Sequence, residues 1–381
     1  MKKINVAIIG LGYHQLQAIQ TLKKNFNIYG FDQDINAVGK QYVKKFFNID
    51  IKDSLKIYKI CKKYRIKKAL SFNTEVSLSA VSFINKKLGD KNNNIDLIQN
   101  KFKLRNLLKK NFLATPNYSS YKTSHDVNKI GFPLVSKPFY GAGSRGVFLA
   151  RNKNEFKKLL NENKSFYKDK KILIEQYIPG IEYAVEGWVD DKKEIYIGAI
   201  SKKKRSKPPK LFDLSLIINY QRPALLKIIK KYLLKLSKIL RLFNTVFHLE
   251  FKFYKKKIYL IDCSIRGAGY SVYSEILSKI IKQNTDQILI DMFFNKPVKI
   301  NKSSREIFFL KFIYLKNLEK LKKKIYNHKV EKLKTFCKIK FYKGINKNSK
   351  NRNIRFGHIL LSSFDINLLN KEIKVLNNLI I

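Results

Sequence analysis

Over the first hundred residues, short apolar runs alternate with amphipathic stretches. The run INVAII at 4–9 reads as a buried strand, closed by Gly10-Leu11-Gly12 and followed by a helix through about Lys24. A second strand is expected over Asn27–Phe31, ending at Asp32; helical spacing returns over 54–64, and a strand follows at Lys68–Phe72. Strands alternating with helices imply a parallel α/β sheet with Rossmann-like winding. This first unit is expected to span 1–98.

Beyond it the pattern changes. A helix over about 101–112 stops before Thr115-Pro116, and strand-like pieces follow at 134–137, 147–150, 172–178, 183–189 and 195–200. Short strands in succession suggest an antiparallel sheet over helices, an α+β unit. Residues 201–210 (SKKKRSKPPK) read as a basic, Pro-broken loop. Leu225, Ile229, Leu233, Leu236, Leu240 and Phe243 form one stripe of an amphipathic helix over 225–243. A hairpin is expected at about 245–265. From about 301 the chain is rich in Lys and Asn, with turns at Gly344 and Gly357 and a closing helix at about 367–378. The units are therefore 1–98, 99–300 and a small C-terminal α+β unit at 301–381.

Composition narrows the class. A chain of 381 residues with 45% hydrophobic content can bury more than one core. No apolar run reaches the length of a membrane span. The apolar part of the N-terminus, Val6–Leu11, is short and contains Gly10, so it reads as a strand and turn rather than a signal peptide. Cys61, Cys263 and Cys337 are too scattered for a disulfide framework or a zinc site, which fits a reducing, cytoplasmic setting. The net charge of +51 would suggest nucleic acid. But the lysines are spread along the whole chain, and Lys, Ile, Asn, Phe and Tyr share A/T-rich codons. Solvated lysine faces are the simpler reading, with no specific nucleic-acid partner. Attraction to acidic ligands stays open.

Four segments carry candidate chemistry. Gly10-Leu11-Gly12 with Asp32 downstream has part of a dinucleotide fingerprint, but Gln15 stands at the third glycine position. The choice is between an NAD(P) site and a plain strand-to-helix turn. In Lys137-Pro-Phe-Tyr-Gly141-Ala-Gly143-Ser144-Arg145-Gly146, a lysine at a strand end precedes a glycine loop. Such a loop lets backbone N–H groups reach anionic oxygens while the lysine adds a point charge. In Glu175-Gln-Tyr177-Ile178-Pro-Gly-Ile-Glu182, backbone near Tyr177 and Ile178 could meet an adenine, and Glu182 could take ribose hydroxyls. In the hairpin, Phe247, Leu249, Phe251 and Phe253 share one face and His248 and Glu250 the other. A tip at Lys256 would set Glu250 opposite Asp262, about 5 Å apart at Cβ. Two such carboxylates suit Mg²⁺, a hard cation that binds one or two carboxylates together with phosphate oxygens. The alternative is a register slipped by one residue, with both acids solvated.

Taken in order, these segments resemble the ATP-grasp superfamily, in the branch of biotin carboxylase and the carbamoyl-phosphate synthetase large chain. The resemblance implies that Lys101, with Lys103 and Arg105 on the same helix, and Lys137 hold nucleotide phosphates. It implies that Gly141, Gly143, Ser144 and Gly146 belong to a loop closing over them. Glu175, Tyr177 and Ile178 would form the adenine hinge and Glu182 the ribose carboxylate. Glu250 and Asp262 would bind Mg²⁺ (or Mn²⁺), with Ser264 at the usual asparagine position, and Arg266 would meet the reacting substrate. Asp262 is one methylene shorter than the usual glutamate. The first unit would be a Rossmann-like pre-ATP-grasp domain, and residues near Thr74 and Glu75 would lie toward substrate. The implied activity is ligation of a small-molecule carboxylate to an amine or related nucleophile through an acyl phosphate, using ATP. Two rivals are an ATP-binding protein that has lost turnover and an NAD(P) enzyme. A homodimer is left open.

Overall fold

The computed structural model describes residues 3–72, 74–90, 95–141, 143–167, 171–219, 223–269, 272–300, 303–314, 330–342 and 354–380. The first unit has strands β1 (Ile4–Ile9), β2 (Phe26–Asp32), β3 (Lys45–Asn48) and β4 (Lys68–Leu70), in the order β3-β2-β1-β4. The β1–β2, β2–β3 and β1–β4 pairs are all parallel, as the alternating pattern predicts. Alternate β1 residues pack on opposite sides of the sheet: Val6 and Ile8 in one apolar cluster, Ala7 and Ile9 in another. Helices α1 (Leu16–Lys23), α2 (Ser54–Lys63) and α3 (Leu78–Lys87) cover it, and Asp53 caps α2 by accepting from the Lys56 N–H at 3.0 Å.

A short helix, α4 (Ile95–Gln99), leads into α5 (Lys101–Lys110). Next comes a small antiparallel sheet of β5 (Tyr118–Tyr121), β6 (Leu134–Pro138), β7 (Phe148–Ala150) and β8 (Ile172–Gln176), in the order β5-β8-β6-β7.

The large sheet holds β9 (Ile181–Val189), β10 (Ile195–Arg205), β11 (Asp213–Ile218), β12 (Thr245–Tyr254), β13 (Lys257–Ser264), β14 (Ile307–Tyr314), β15 (Phe336–Phe341) and β16 (Arg355–Ser363). Its order is β13-β12-β9-β10-β11-β14-β16-β15. β14 pairs with β11, so β14, β16 and β15 continue this sheet. The closing helix runs Ile366–Ile380. Gly357 lies inside β16 rather than in a turn, where an added Cβ would come within 2.3 Å of the Lys340 carbonyl. Gly344 lies outside the described residues.

Two further sequence expectations are corrected. The helix expected over 225–243 runs Pro223–Leu240 and leaves Phe243 outside it, because the chain turns at Arg241 with φ 52°. The basic stretch expected as a loop from 201 is strand as far as Arg205. Carboxylates facing Lys203 and Arg205 remove the repulsion that made the run look unfit for a sheet.

Candidate functional site

The cleft between the small and large sheets collects nearly every residue singled out from the sequence. Lys101, Lys137, Gly141, Gly143, Ser144, Glu175, Tyr177, Ile178, Glu182, Glu250, Asp262, Ser264 and Arg266 all line it. Gly146 does not. It is buried against Phe166, where an added Cβ would fall 2.7 Å from the Phe166 Cβ, and its carbonyl accepts from the Tyr167 hydroxyl at 2.6 Å. Gly146 is the anchor of the loop rather than part of its inner surface.

Lys101 opens helix α5. Asn100 caps that helix by accepting from Lys103 N–H at 3.0 Å, and the Lys101 N–H is clipped to the Phe139 carbonyl at 2.9 Å. This aims the Lys101 ammonium at the Gly141 carbonyl, 2.8 Å away, and at Asp262, 3.3 Å away. Lys103 points outward and is exposed. Lys137 ends β6 and is buried. Glu175, across on β8, holds it at 2.6 Å and holds Arg105 at 2.5 Å. Burial pushes the Lys137 amine down to about 8, although Glu175 pulls the other way. Burial also pushes the Glu175 carboxyl up, but Arg105 and Lys137 outweigh it and leave the group below the usual carboxylate range. Glu175 thus positions the lysine.

The hinge is narrow and largely apolar, with Val135, Tyr177, Ile178, Ala184, Tyr259 and Ile261 along it. Tyr177 N–H is donated to the Pro133 carbonyl at 3.0 Å, and the Ile178 carbonyl accepts from Lys252 at 2.8 Å. The Lys252 ammonium also lies 4.1 Å from the centre of the Tyr177 ring.

The hairpin places Glu250 opposite Asp262, as the sequence predicts. The turn is tighter than the sequence implies. Lys255 and Lys256 form it, with φ of 47° and 58°, and Tyr254 pairs with Lys257. An irregularity between Glu250 and Phe251 restores the register, so the two acids still meet. Neither acid stands alone. Lys203 lies 2.6 Å from Glu250 and Lys101 3.3 Å from Asp262. The Ser264 hydroxyl donates to Glu75 at 2.5 Å and Arg266 donates to the same oxygen at 2.7 Å. Glu75, just past β4, therefore carries the first unit into the cleft and fixes Arg266. Burial pushes its carboxyl up, but Arg266 and Ser264 bring it below the usual range.

Sequence reading missed several residues here. Lys203 contacts Glu182 and Asp213, each at 3.2 Å, besides Glu250. Arg205 contacts Glu182 and Asp213 at 2.8 Å and donates to Ser144 Oγ at 3.2 Å. Arg355, on β16, reaches Asp213 at 2.8 Å. His248 lies 2.5 Å from Glu186 and 3.3 Å from Glu250. Burial works against its charge, but Glu186 and Glu250 raise its pKa to about 10. The available signal was the two-residue spacing of Ser201, Lys203 and Arg205, which continues the preceding strand.

The Gly10 turn is closed. Leu11 N–H donates to the Asp32 carboxylate at 2.6 Å, and the Gln15 amide group donates to the Gly10 carbonyl at 2.5 Å. The Gln15 oxygen accepts from Ser71 at 3.2 Å and from Phe72 N–H at 2.9 Å. The groups a dinucleotide would use are consumed by the fold.

Fold and cleft define a two-lobed clamp around a deep cleft. Residues 130–274 match the family model described as an ATP-grasp domain. The carbamoyl phosphate synthase large chain of Clostridium botulinum (strain Langeland / NCTC 10281 / Type F) is 25% identical over 224 residues, 55% of this chain and 20% of that one. The corresponding C-terminal section from Aquifex aeolicus is 30% identical over 118 residues, 30% of this chain and 22% of that one. The chain spans about a fifth of the length of these relatives. Among solved structures, L-amino acid ligase from Bacillus licheniformis superposes with a TM-score of 0.74 at 18% identity, covering 99% of this chain and 98% of that one. N5-carboxyaminoimidazole synthetase from Staphylococcus aureus, complexed with ADP, gives 0.76 at 14% identity, with 98% and 97% covered. Residues 130–274 therefore resemble an ATP-grasp domain, and the fold of the whole chain is that of these solved structures. Among the described residues, no helix is long and apolar enough to cross a membrane.

Proposed function

We propose that this chain joins a small carboxylate to an amine or related nucleophile, driven by ATP through an acyl phosphate. The observation that carries the reading is one cleft in which Lys101, Lys137, the Glu250–Asp262 pair and Arg266 converge. Adenine would lie in the apolar slot near Tyr177 and Ile178, with Glu182 toward the ribose. Lys101 and Lys137 would hold the phosphates. The residues fit a Mg²⁺ ion. Among the described residues no group of three His, Cys, Asp or Glu converges as a protein-only metal cage. Two facing carboxylates beside a phosphate site match the way Mg²⁺ is held, with substrate oxygens completing the shell. When bound, the ion would neutralise charge on the transferring phosphoryl group.

Arg266, fixed by Glu75, would orient the substrate carboxylate for attack on the γ-phosphate. The amine would then displace phosphate from the acyl phosphate. A second cleft of about 830 Å³ adjoins the first at Gly141 and Arg145. It runs between α3 and the small sheet, past Glu75, Val76, Phe83, Tyr140 and Phe166, and would admit the substrates.

The test is ADP release over a matrix of carboxylates and amines, with Asp262→Asn as the control. We expect turnover for at least one pair and its loss in the variant. Both proteins should melt alike without ligand, since the Lys101–Asp262 pair is partly exposed and worth little. Mg·ATP should raise the melting temperature of wild type far more than that of Asp262→Asn. An equal shift in both proteins would remove Asp262 from the metal site. Nucleotide binding without turnover for any pair would favour the ATP-binding protein lacking catalysis.

A further inference from the structure

The two facing acids are neutralised unequally. Asp262 is about one-third exposed, and its lysine, Lys101, stands 3.3 Å away while also bonding the Gly141 carbonyl at 2.8 Å. An arriving phosphate can draw Lys101 off Asp262 without burying an unpaired charge. Glu250 differs. Its partner Lys203 is 1% exposed and sits 2.6 Å from the Glu250 Oε1 atom, which also faces His248 at 3.3 Å. The same ammonium contacts Glu182 and Asp213, and both of those also hold Arg205. Moving Lys203 away would strip two buried carboxylates, Glu182 and Asp213, and the half-buried Glu250 of a shared cation, which is strongly unfavourable.

The charge balance of the cleft points the same way. Its lining includes eight Lys and Arg side chains against six carboxylates. A nucleoside triphosphate with one divalent cation brings about two net negative charges and nearly balances this excess. A second divalent cation would leave the site strongly positive.

We propose that the Lys203 ammonium occupies the place of a second divalent cation at Glu250, so that this site binds nucleotide with a single metal ion, on the Asp262 side. The inference rests on the nucleotide site described above and goes beyond it by fixing the metal stoichiometry and naming the residue that sets it. Lys203 is then a constant part of the phosphate environment, held by Glu182, Asp213 and Glu250 whether or not nucleotide is present.

The test uses the full chain with Mn²⁺ and a β,γ-non-hydrolysable ATP analogue. Free Mn²⁺ is counted by electron paramagnetic resonance, and nucleotide binding is measured by calorimetry on the same samples. We expect one Mn²⁺ per bound nucleotide in wild type and in Lys203→Arg, which keeps the charge, and two in Lys203→Gln. Two Mn²⁺ per nucleotide in wild type would overturn the inference while leaving nucleotide binding intact. So would a single Mn²⁺ in a folded Lys203→Gln. If Lys203→Gln fails to fold, the counts for wild type and Lys203→Arg still decide. No calorimetric binding of the analogue would overturn the nucleotide reading itself, and this inference with it.

Discussion

Two glycine turns that follow a strand, at Gly10-Leu11-Gly12 and at Gly141–Gly146, end in opposite states. At Gly10-Leu11-Gly12 the loop interior is filled. Gly10 adopts φ 87°, and an added Cβ would come within 2.8 Å of the Gln15 amide nitrogen. Asp32, which would read a ribose in a dinucleotide site, instead accepts from the Leu11 N–H at 2.6 Å. At Gly141–Gly146 the inner positions are open. Among the described residues, a Cβ at Gly143 would meet nothing within 4 Å, and one at Gly141 would touch only Pro138, at 3.7 Å. The loop's fixed contacts leave that space free: the Gly141 carbonyl accepts from Lys101, Ser144 Oγ from Arg205 and the Gly146 carbonyl from Tyr167. Glycine spacing alone does not make a phosphate site. What matters is whether neighbouring side chains have already used the space and the donors the glycines expose.

The largest expected difference between the two turns concerns the lysine that precedes the open one. Lys137→Ala removes a charge-assisted phosphate contact worth roughly 1.5–3 kcal/mol. Nucleotide affinity should fall about tenfold or more. Gly12→Ala is the matched change at the closed turn. Gly12 has φ −69° and nothing within 4 Å of an added Cβ, so affinity should stay at the wild-type value. Calorimetric titration of Mg·ATP into both variants checks this. Equal losses in the two would erase the distinction between a filled and an open turn, and an unchanged Lys137→Ala would remove the lysine from the site.

A change at Gln15 should have the reverse profile. Its side chain is buried, and truncation would leave the Gly10 carbonyl, the Ser71 hydroxyl and the Phe72 N–H without their present partner. Leaving such groups unsatisfied costs about 1–3 kcal/mol. Gln15→Ala should therefore unfold at lower denaturant concentration while binding nucleotide as wild type does. If it weakens nucleotide binding and leaves stability untouched, the N-terminal turn is a ligand site after all.

Some of this could be read before the fold was known, for physical reasons. The alternation of strands with helices exposed the parallel sheet, because parallel neighbours need a crossover connection between them. The Glu250–Asp262 pairing was legible because hairpin register follows from the tip. Here a two-residue turn and a compensating irregularity lead to the same pairing. For Lys203 and Arg205 the two-residue spacing could extend the strand, but their partners were not legible. Among 79 Lys and Arg residues, two more in a basic run carry no contrast, and their partners Glu182, Asp213 and Glu250 come from three other strands. The role of Glu175 was hidden likewise, since holding Lys137 and Arg105 is a long-range fact. The continuation of the large sheet by β14 depends on a pairing with β11 across about ninety residues, for which neither strand carries a local signal.

The smallest expected effect sharpens the comparison without changing a residue. Burial holds the Lys137 amine at about 8, below the 10.5 usual for a lysine, despite Glu175 beside it. With a folded-state pKa below the unfolded one, the unfolded chain binds more protons between about pH 8 and 10.5, so this group's contribution to stability rises with pH across that window. Nucleotide reverses the local field. Phosphate oxygens beside the ammonium favour its charged form and raise its pKa in the complex. Binding at pH 8 should then take up about half a proton at Lys137, and binding at pH 6.5 almost none. Lys252 is also held at about 8 by burial, but it lies over Tyr177 at the adenine end, away from the phosphates. His248, near 10, stays protonated throughout. The measurement is the enthalpy of Mg·ADP binding at pH 8 in two buffers of different ionisation heat, for wild type and Lys137→Ala. Uptake in wild type that disappears in the variant assigns the proton to Lys137. Equal uptake in both would assign it to Lys252, and Lys137 would then be fully protonated before the nucleotide arrives.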